Sequence, residues 1–282
     1  MSIEEKDQED LTRKQRREQA RAERKAAEQA ALASDARRRR MTMLGGVAAA
    51  VIVAIVVILI ATSGGGSSKA PKFEGKTSGQ EKPVKEAVAA VNAELGGIKQ
   101  NGNVLGSPTA PVTLAYFGDL ECPICKDFTL GALPKVIEKD VRSGKAKIEY
   151  RNFETATREP ETFRNQQTAA LAAGKQGKGW YYLELFYHLQ GAEGSGYVTE
   201  KYLQGLAEAT PGLNLAQWQA ARADQSFQAQ LATDAQEVNN LGFTGTPSFL
   251  IGKSGGAMKK FEYSSLTDPA SFEEAIETTL KA

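Results

Sequence analysis

VTLAYFGDLECPIC, residues 112–125, decides how this chain folds. Val112 to Phe117 is a β-branched and aromatic run, the composition of a buried strand. Five residues later Cys122 opens a helix, with Pro123 at its first position, where a missing N–H costs nothing. Cys122 therefore sits at a helix amino terminus, where free backbone N–H groups and the positive dipole end favour a thiolate. Cys125 falls one turn further on, faces the same side, and can reach Cys122 to form a small disulfide. It is expected to be the more buried of the two.

Upstream, the chain changes character twice. Met43 to Ala61 is 19 residues without a charge, preceded by Arg37-Arg38-Arg39-Arg40. As a helix it spans about 28 Å, close to the thickness of a bilayer's hydrocarbon core. A cleaved signal peptide is the competing reading, but the apolar run is long for one and forty polar residues precede it. The expectation is a retained transmembrane helix over 43–62. The arginines keep residues 1–42 in the cytoplasm as a charged tail, which lacks the apolar side chains for a core. Residues 63–82, rich in Gly, Ser and Lys, read as a flexible linker, and the domain at 83–282 is placed outside the cytoplasm.

Residues 1–40 carry 12 Lys/Arg against 9 Asp/Glu, and the remainder 23 against 25. With a formal net charge of +1, nothing indicates a nucleic-acid partner. The basic residues set topology or touch anionic lipid heads, the former being favoured.

Downstream, the pattern predicts a helix over Pro83–Leu95 and a short strand at Asn103–Leu105, before the 112–117 strand. A helix follows over 123–141, kinked at Pro134, then a strand over 147–153. A helical block at about 158–242 has no strand signal. A hairpin follows, with strands at Ser248–Ile251 and Lys260–Tyr263. The chain ends on a helix from Ser271 to Leu280, with Ser271 as its cap and Glu274 as capping-box partner. The order implies an α/β fold, a mixed sheet with helices on both faces.

The cysteine pair admits three readings. The chain has two cysteines and one histidine, so a four-ligand zinc site would need a carboxylate. A structural staple would close so small a loop that it hardly constrains the unfolded chain. A redox-active pair suits an extracytoplasmic domain with no other cysteine to mispair with, and this is the favoured reading. Far away, Thr244-Gly245-Thr246-Pro247-Ser248-Phe249 leads from a helix into an apolar strand. Its plain reading is a turn. Its sharper reading is a cis-proline beside the disulfide, whose preceding backbone pairs with a substrate peptide.

Gly118 to Cys125, Arg151-Asn152-Phe153 and Gly245 to Phe249 together resemble the DsbA-like branch of the thioredoxin superfamily, over roughly residues 100–282. The resemblance implies a thioredoxin fold with an inserted helical subdomain, here preceded by one transmembrane helix in a layout suggesting a bacterial member. It implies protein thiol–disulfide exchange, with Cys122 as nucleophile, Cys125 as resolving cysteine, and Thr246 and Pro247 lining the client groove. The partners implied are translocated proteins bearing cysteines and a membrane redox partner that recycles the pair. No metal and no organic cofactor are implied, because the disulfide carries the redox equivalent.

An oxidase is the first expectation; a reductase, an isomerase or a redox-inert binding module are the alternatives. Two departures matter. Ile124 stands where the better-known oxidases carry a histidine, and Tyr116 stands where many thioredoxin-like proteins bury a carboxylate. Asp119 and Glu121, next to the nucleophile, are expected to disfavour its thiolate. Pro123, Ile124 and Glu121 are therefore read as residues that tune the pair. His188 is read as a packed or surface histidine rather than a catalytic one, Trp218 as a core side chain, and Glu149 as a surface group.

Overall fold

In a computed structural model of the protein, residues 81–282 are described. The expected tail, the apolar segment at 43–62 and almost all of the linker lie outside them. Among the described residues no helix is long and apolar enough to cross a membrane.

The central strand is β3, Val112–Gly118, and every one of its residues is buried. It pairs in parallel with β4, Ala146–Asn152, and antiparallel with β5, Ser248–Lys253. Two short strands, β1 (Gln100–Asn101) and β2 (Val104–Leu105), extend the sheet beyond β4, and β6 (Met258–Phe261) closes the other edge. The order is β1-β2-β4-β3-β5-β6, and only the β3–β4 pair is parallel. A strand central in such a sheet has both faces covered, which is why 112–117 reads as continuous apolar sequence rather than alternation.

Side chains alternate between the two faces. Leu114 and Tyr116 point into the main core with Ile148, Tyr150 and Ile251. Ala115 and Phe117 point the other way, into a smaller cluster with Val238 and Leu250. Helix α1, Lys82–Leu95, precedes the sheet, and Pro83 lies in its first turn.

Between β3 and β4 lie α2 (Pro123–Leu130), α3 (Leu133–Val136) and a π-helical turn over Ile137–Val141. The expected single helix kinked at Pro134 is instead two helices broken at Gly131. A Cβ at Gly131 would lie 2.7 Å from the Leu266 carbonyl oxygen. Ala132 N–H donates to that same carbonyl (2.9 Å). The chain must therefore break to let the 266 loop approach, and Pro134 fits the first turn of the new helix, where it is tolerated.

Five helices separate β4 from β5: α4 (Pro160–Gly174), α5 (Gly179–His188), α6 (Glu200–Ala209), α7 (Leu215–Ala221) and α8 (Gln225–Leu241). Thr199 caps α6 through Tyr202 N–H, and Gly242 ends α8 in the left-handed region at φ 64°, a conformation that favours glycine. Trp180, Tyr182, Phe186, Tyr187 and Trp218 are core residues of this block.

The last helix, α9, is Ala270–Lys281. Its start is not capped by Ser271, as the sequence suggested. Asp268 accepts from the Ala270 N–H (3.0 Å), while the Ser271 hydroxyl accepts from Ser264 N–H. The last strand begins at Met258, two residues earlier than expected, because Gly255 at φ 78° makes the turn tight enough to set Met258 opposite Gly252.

Candidate active site

Cys122 is the N-cap of α2, in extended backbone at φ −70° and ψ 118°. This is the conformation an N-cap residue adopts, so its side chain is aimed at the first free N–H groups of the helix. Its Sγ accepts from the Cys125 N–H at 3.4 Å. Cys122 is 5% exposed and Cys125 is fully buried, and both thiols are free.

These surroundings split the two thiols. A hydrogen bond from the Cys125 thiol does most to lower the Cys122 pKa, against the opposing effect of burial. The Thr246 side chain and the N–H groups of Cys125 and Ile124 add to it, and the thiol falls from 9.0 to about 6. Burial and the neighbouring Cys122 push Cys125 well above 9.0. One thiol is thus ionised at neutral pH and the other holds its proton.

Across from the pair lies the loop between α8 and β5. The Thr246–Pro247 peptide is cis. The Thr246 carbonyl stands 3.5 Å from Cys122 Sγ and can accept from its thiol. The Thr246 hydroxyl shares a 2.6 Å hydrogen bond with that of Thr155. A groove of about 370 Å³ runs alongside, lined among others by Thr244, Thr246, Pro247, Phe249 and Tyr263. Pro123 and Ile124 are exposed, and Ile124, 46% exposed, is a bare aliphatic side chain beside the nucleophile. The site residues singled out in the sequence, 124 residues apart, are therefore adjacent in space.

Asp119 plays a different part from the one its charge suggested. Fully buried, it accepts six hydrogen bonds. Glu121 N–H, the Thr157 hydroxyl and Gln166 Nε2 reach Oδ1, and the N–H groups of Thr155, Ala156 and Thr157 reach Oδ2 at 2.9 Å each. Its charge is spent on those donors. It ties the loop before Cys122 to the loop bearing Thr155, and thereby to Thr246. Glu121 is buried too. Burial, then Asp119, raises its pKa, and the Gly194 N–H opposes the rise. Glu121 is not among the dominant influences on Cys122, whose thiol is governed by the Cys125 hydrogen bond, burial and the donors around it.

Gln190, just beyond α5, donates to the Leu120 and Cys122 carbonyls at 2.7 and 3.1 Å. Neither it nor the Asp119 network was found from the sequence. The one local signal was the Asp119-x-Glu121 spacing, in which an Asp side chain takes the N–H two residues on.

Behind Cys125 the wall is aromatic. Tyr116 packs edge-on against Phe128 of α2 at 5.0 Å and donates to the Tyr187 hydroxyl at 3.1 Å, which in turn donates to the Asp119 carbonyl. Burial, and then Cys125, push the Tyr116 phenol well above its ordinary range. A neutral phenol thus occupies the place expected for a carboxylate. Glu149 projects from the opposite face of β4 to Tyr150 and pairs with Arg151 at 3.1 Å. Among the described residues one group of metal-donor side chains converges, Glu94, Glu184 and His188, and the cysteines are not part of it.

A family model described as Thioredoxin matches residues 99–277. The chain belongs to the thioredoxin family. Disulfide bond formation protein D of Bacillus subtilis (strain 168) is 26% identical over 183 residues, covering 63% of this chain and 77% of that protein. The probable disulfide bond formation protein D of Bacillus cereus is 25% identical over 150 residues, 52% of this chain and 68% of its own length. The crystal structure of oxidised BdbD from Bacillus subtilis superposes with a TM-score of 0.54 at 22% identity, over 66% of this chain and 98% of that one. That likeness shows the thioredoxin-like fold with its mixed sheet. Family and relatives together place this thioredoxin-family chain among the DsbA-like proteins, and it is a thiol–disulfide oxidoreductase.

Proposed function

We propose that this chain is a membrane-anchored oxidase that introduces disulfides into proteins translocated across the membrane, using Cys122 and Cys125 as its redox pair. The observation that carries the reading is the Cys122 thiol, held at a helix amino terminus with its pKa lowered to about 6. Stabilising that thiolate favours the reduced pair, so the oxidised pair is the more willing electron acceptor.

In the step proposed, a client thiolate attacks Cys122 Sγ of the disulfide. The Cys122–Cys125 bond breaks, and Cys125 leaves with the electron pair and takes a proton, as its raised pKa demands. A second client thiolate attacks the client sulfur of the mixed disulfide. The client disulfide forms, and Cys122 departs as a thiolate. Two electrons pass from client to enzyme, and a membrane redox partner that accepts two electrons would restore the disulfide.

The client segment would lie in the groove beside Thr246 and Pro247, its backbone within reach of the Thr246 main chain and its side chains against Ile124. The membrane anchor rests on the uncharged Met43–Ala61 run and the arginines before it. The domain would face the extracytoplasmic side.

Cys125→Ala removes the resolving thiol. Expressed in the native host, it is expected to accumulate mixed disulfides through Cys122 with exported, cysteine-bearing proteins. Absence of such adducts, or adducts only with cytoplasmic proteins, would overturn the reading.

A further inference from the structure

Helices α1 and α5 pack against each other, and where they meet three donor side chains come together. Glu94 lies in the last turn of α1. Glu184 and His188 are four residues apart on α5, so they project from one helix face. One ligand atom from each of the three lies within 4.8 Å of the other two.

A second observation concerns what Glu184 lacks. It is 1% exposed, and its Oε2 has no hydrogen-bond partner; Glu94 Oε1 is likewise buried and unpartnered. Leaving a buried carboxylate without donors costs several kcal/mol. No cation offsets it here. Arg142, beside the end of α1, spends its guanidinium on the Glu94 and Gly96 backbone carbonyls. Lys126, from α2, acts on His188. Burial raises the Glu94 carboxyl to about 7, and burial together with Glu94 raises Glu184 well above its ordinary range. The buried Asp119 and Asp234 are satisfied by donors, and the buried Asp140, whose oxygens also lack hydrogen-bond partners, has the Lys145 ammonium at 3.8 Å.

We infer that Glu94, Glu184 and His188 form a binding site for a divalent metal ion of the zinc class, which clamps α1 to the helical insertion. Two carboxylates and a neutral imidazole carry two negative charges, which one divalent ion neutralises. The imidazole selects against calcium and magnesium, whose sites are built from oxygen. Three protein donors leave a fourth position for water. Tetrahedral zinc with bonds of about 2.0–2.1 Å sets its donors roughly 3.3 Å apart. Rotation of the Glu94 side chain, at the part-exposed end of α1, closes the remaining gap. The site is independent of the redox reading, because it uses neither cysteine.

The test uses the full-length chain, purified in detergent and oxidised so that no thiol competes for metal. After chelator stripping, zinc is titrated against a fluorescent chelator, and cobalt is added separately as a spectroscopic probe. The expected result is one equivalent of zinc at micromolar or tighter affinity, and a cobalt spectrum without a thiolate charge-transfer band. Glu184→Gln and His188→Ala should each weaken zinc at least tenfold. Glu94→Gln, nearly isosteric and at the part-exposed end of α1, should do the same with an unchanged near-ultraviolet circular dichroism spectrum. No zinc uptake at micromolar concentration, or uptake that Glu94→Gln and His188→Ala leave unchanged, would overturn the site. In the first case Glu94 and Glu184 simply share a proton.

Discussion

Replacing Cys125 tests the origin of the Cys122 thiolate, because the Cys125 thiol is the largest single influence on it. Cys125→Ala leaves one cysteine and removes that donor; Cys125→Ser keeps a hydroxyl donor in its place. With a pKa of about 6, Cys122 is roughly nine-tenths thiolate at pH 7, against about one part in a hundred at 9.0. Thiolate content alone would make a roughly 90-fold difference. A less basic thiolate is also a poorer nucleophile: a Brønsted slope of about 0.4–0.5 over three units takes back about 15- to 30-fold. The net gain in alkylation rate at pH 7 is therefore only a few-fold. The pH midpoint of the reaction, not its rate, carries the information.

In reduced protein the same thiolate favours the dithiol form at pH 7 by about 1.4 kcal/mol, or about 30 mV in a two-electron couple. Iodoacetamide alkylation followed from pH 4 to 10 is expected to show the Cys125→Ser midpoint near 6. The Cys125→Ala midpoint should lie higher by roughly one unit or more. A Cys125→Ala midpoint still near 6, or a Cys125→Ser midpoint as high as that of Cys125→Ala, would refute the reasoning and leave the helix terminus as the dominant cause.

Two further outcomes follow from the same groups. Cys122 has a folded-state pKa below its unfolded value of 9.0, so its contribution to the reduced protein is absent below about pH 6, grows between 6 and 9, and is complete above. Urea unfolding of both redox forms at pH 5, 7 and 8.5 should show the reduced form gaining on the oxidised one, by roughly 4 kcal/mol at most; a flat or falling difference would contradict it. Asp119→Ala should cost about 3 kcal/mol or more in urea, because it strands the buried N–H groups of Ala156 and Thr157, and it should also slow client oxidation by loosening the Thr155–Thr246 contact. Wild-type stability in that variant would show the network to be dispensable.

The sequence made the site legible where chemistry is local. A β-branched run, a cysteine five residues beyond it and a proline after that cysteine specify a strand, a helix start and a nucleophile without reference to the rest of the chain. Thr246-Pro247 was legible as a motif but not as a conformation. What escaped was set by distant partners. Asp119 looked like a repulsive charge because its donors at 155–157 and Gln166 are 36 to 47 residues away. Glu94 and His188 looked unrelated because only the packing of α1 on α5 joins them. The break at Gly131 depended on the 266 loop, and the displacement of Ser271 from its capping role on Ser264 and Asp268 nearby. In each case local propensity was overridden by a contact the linear pattern does not contain.

The most direct test of the central claim is the redox equilibrium of the Cys122–Cys125 pair in glutathione buffers of graded ratio, with free thiols trapped by alkylation at each point. The account expects the pair to titrate within the glutathione range, well above the roughly −300 mV of structural disulfides. Its potential should fall by about 30 mV per pH unit between pH 6 and 9, where reduction takes up two electrons and one proton. A pair that stays oxidised until a strong dithiol is added would contradict it.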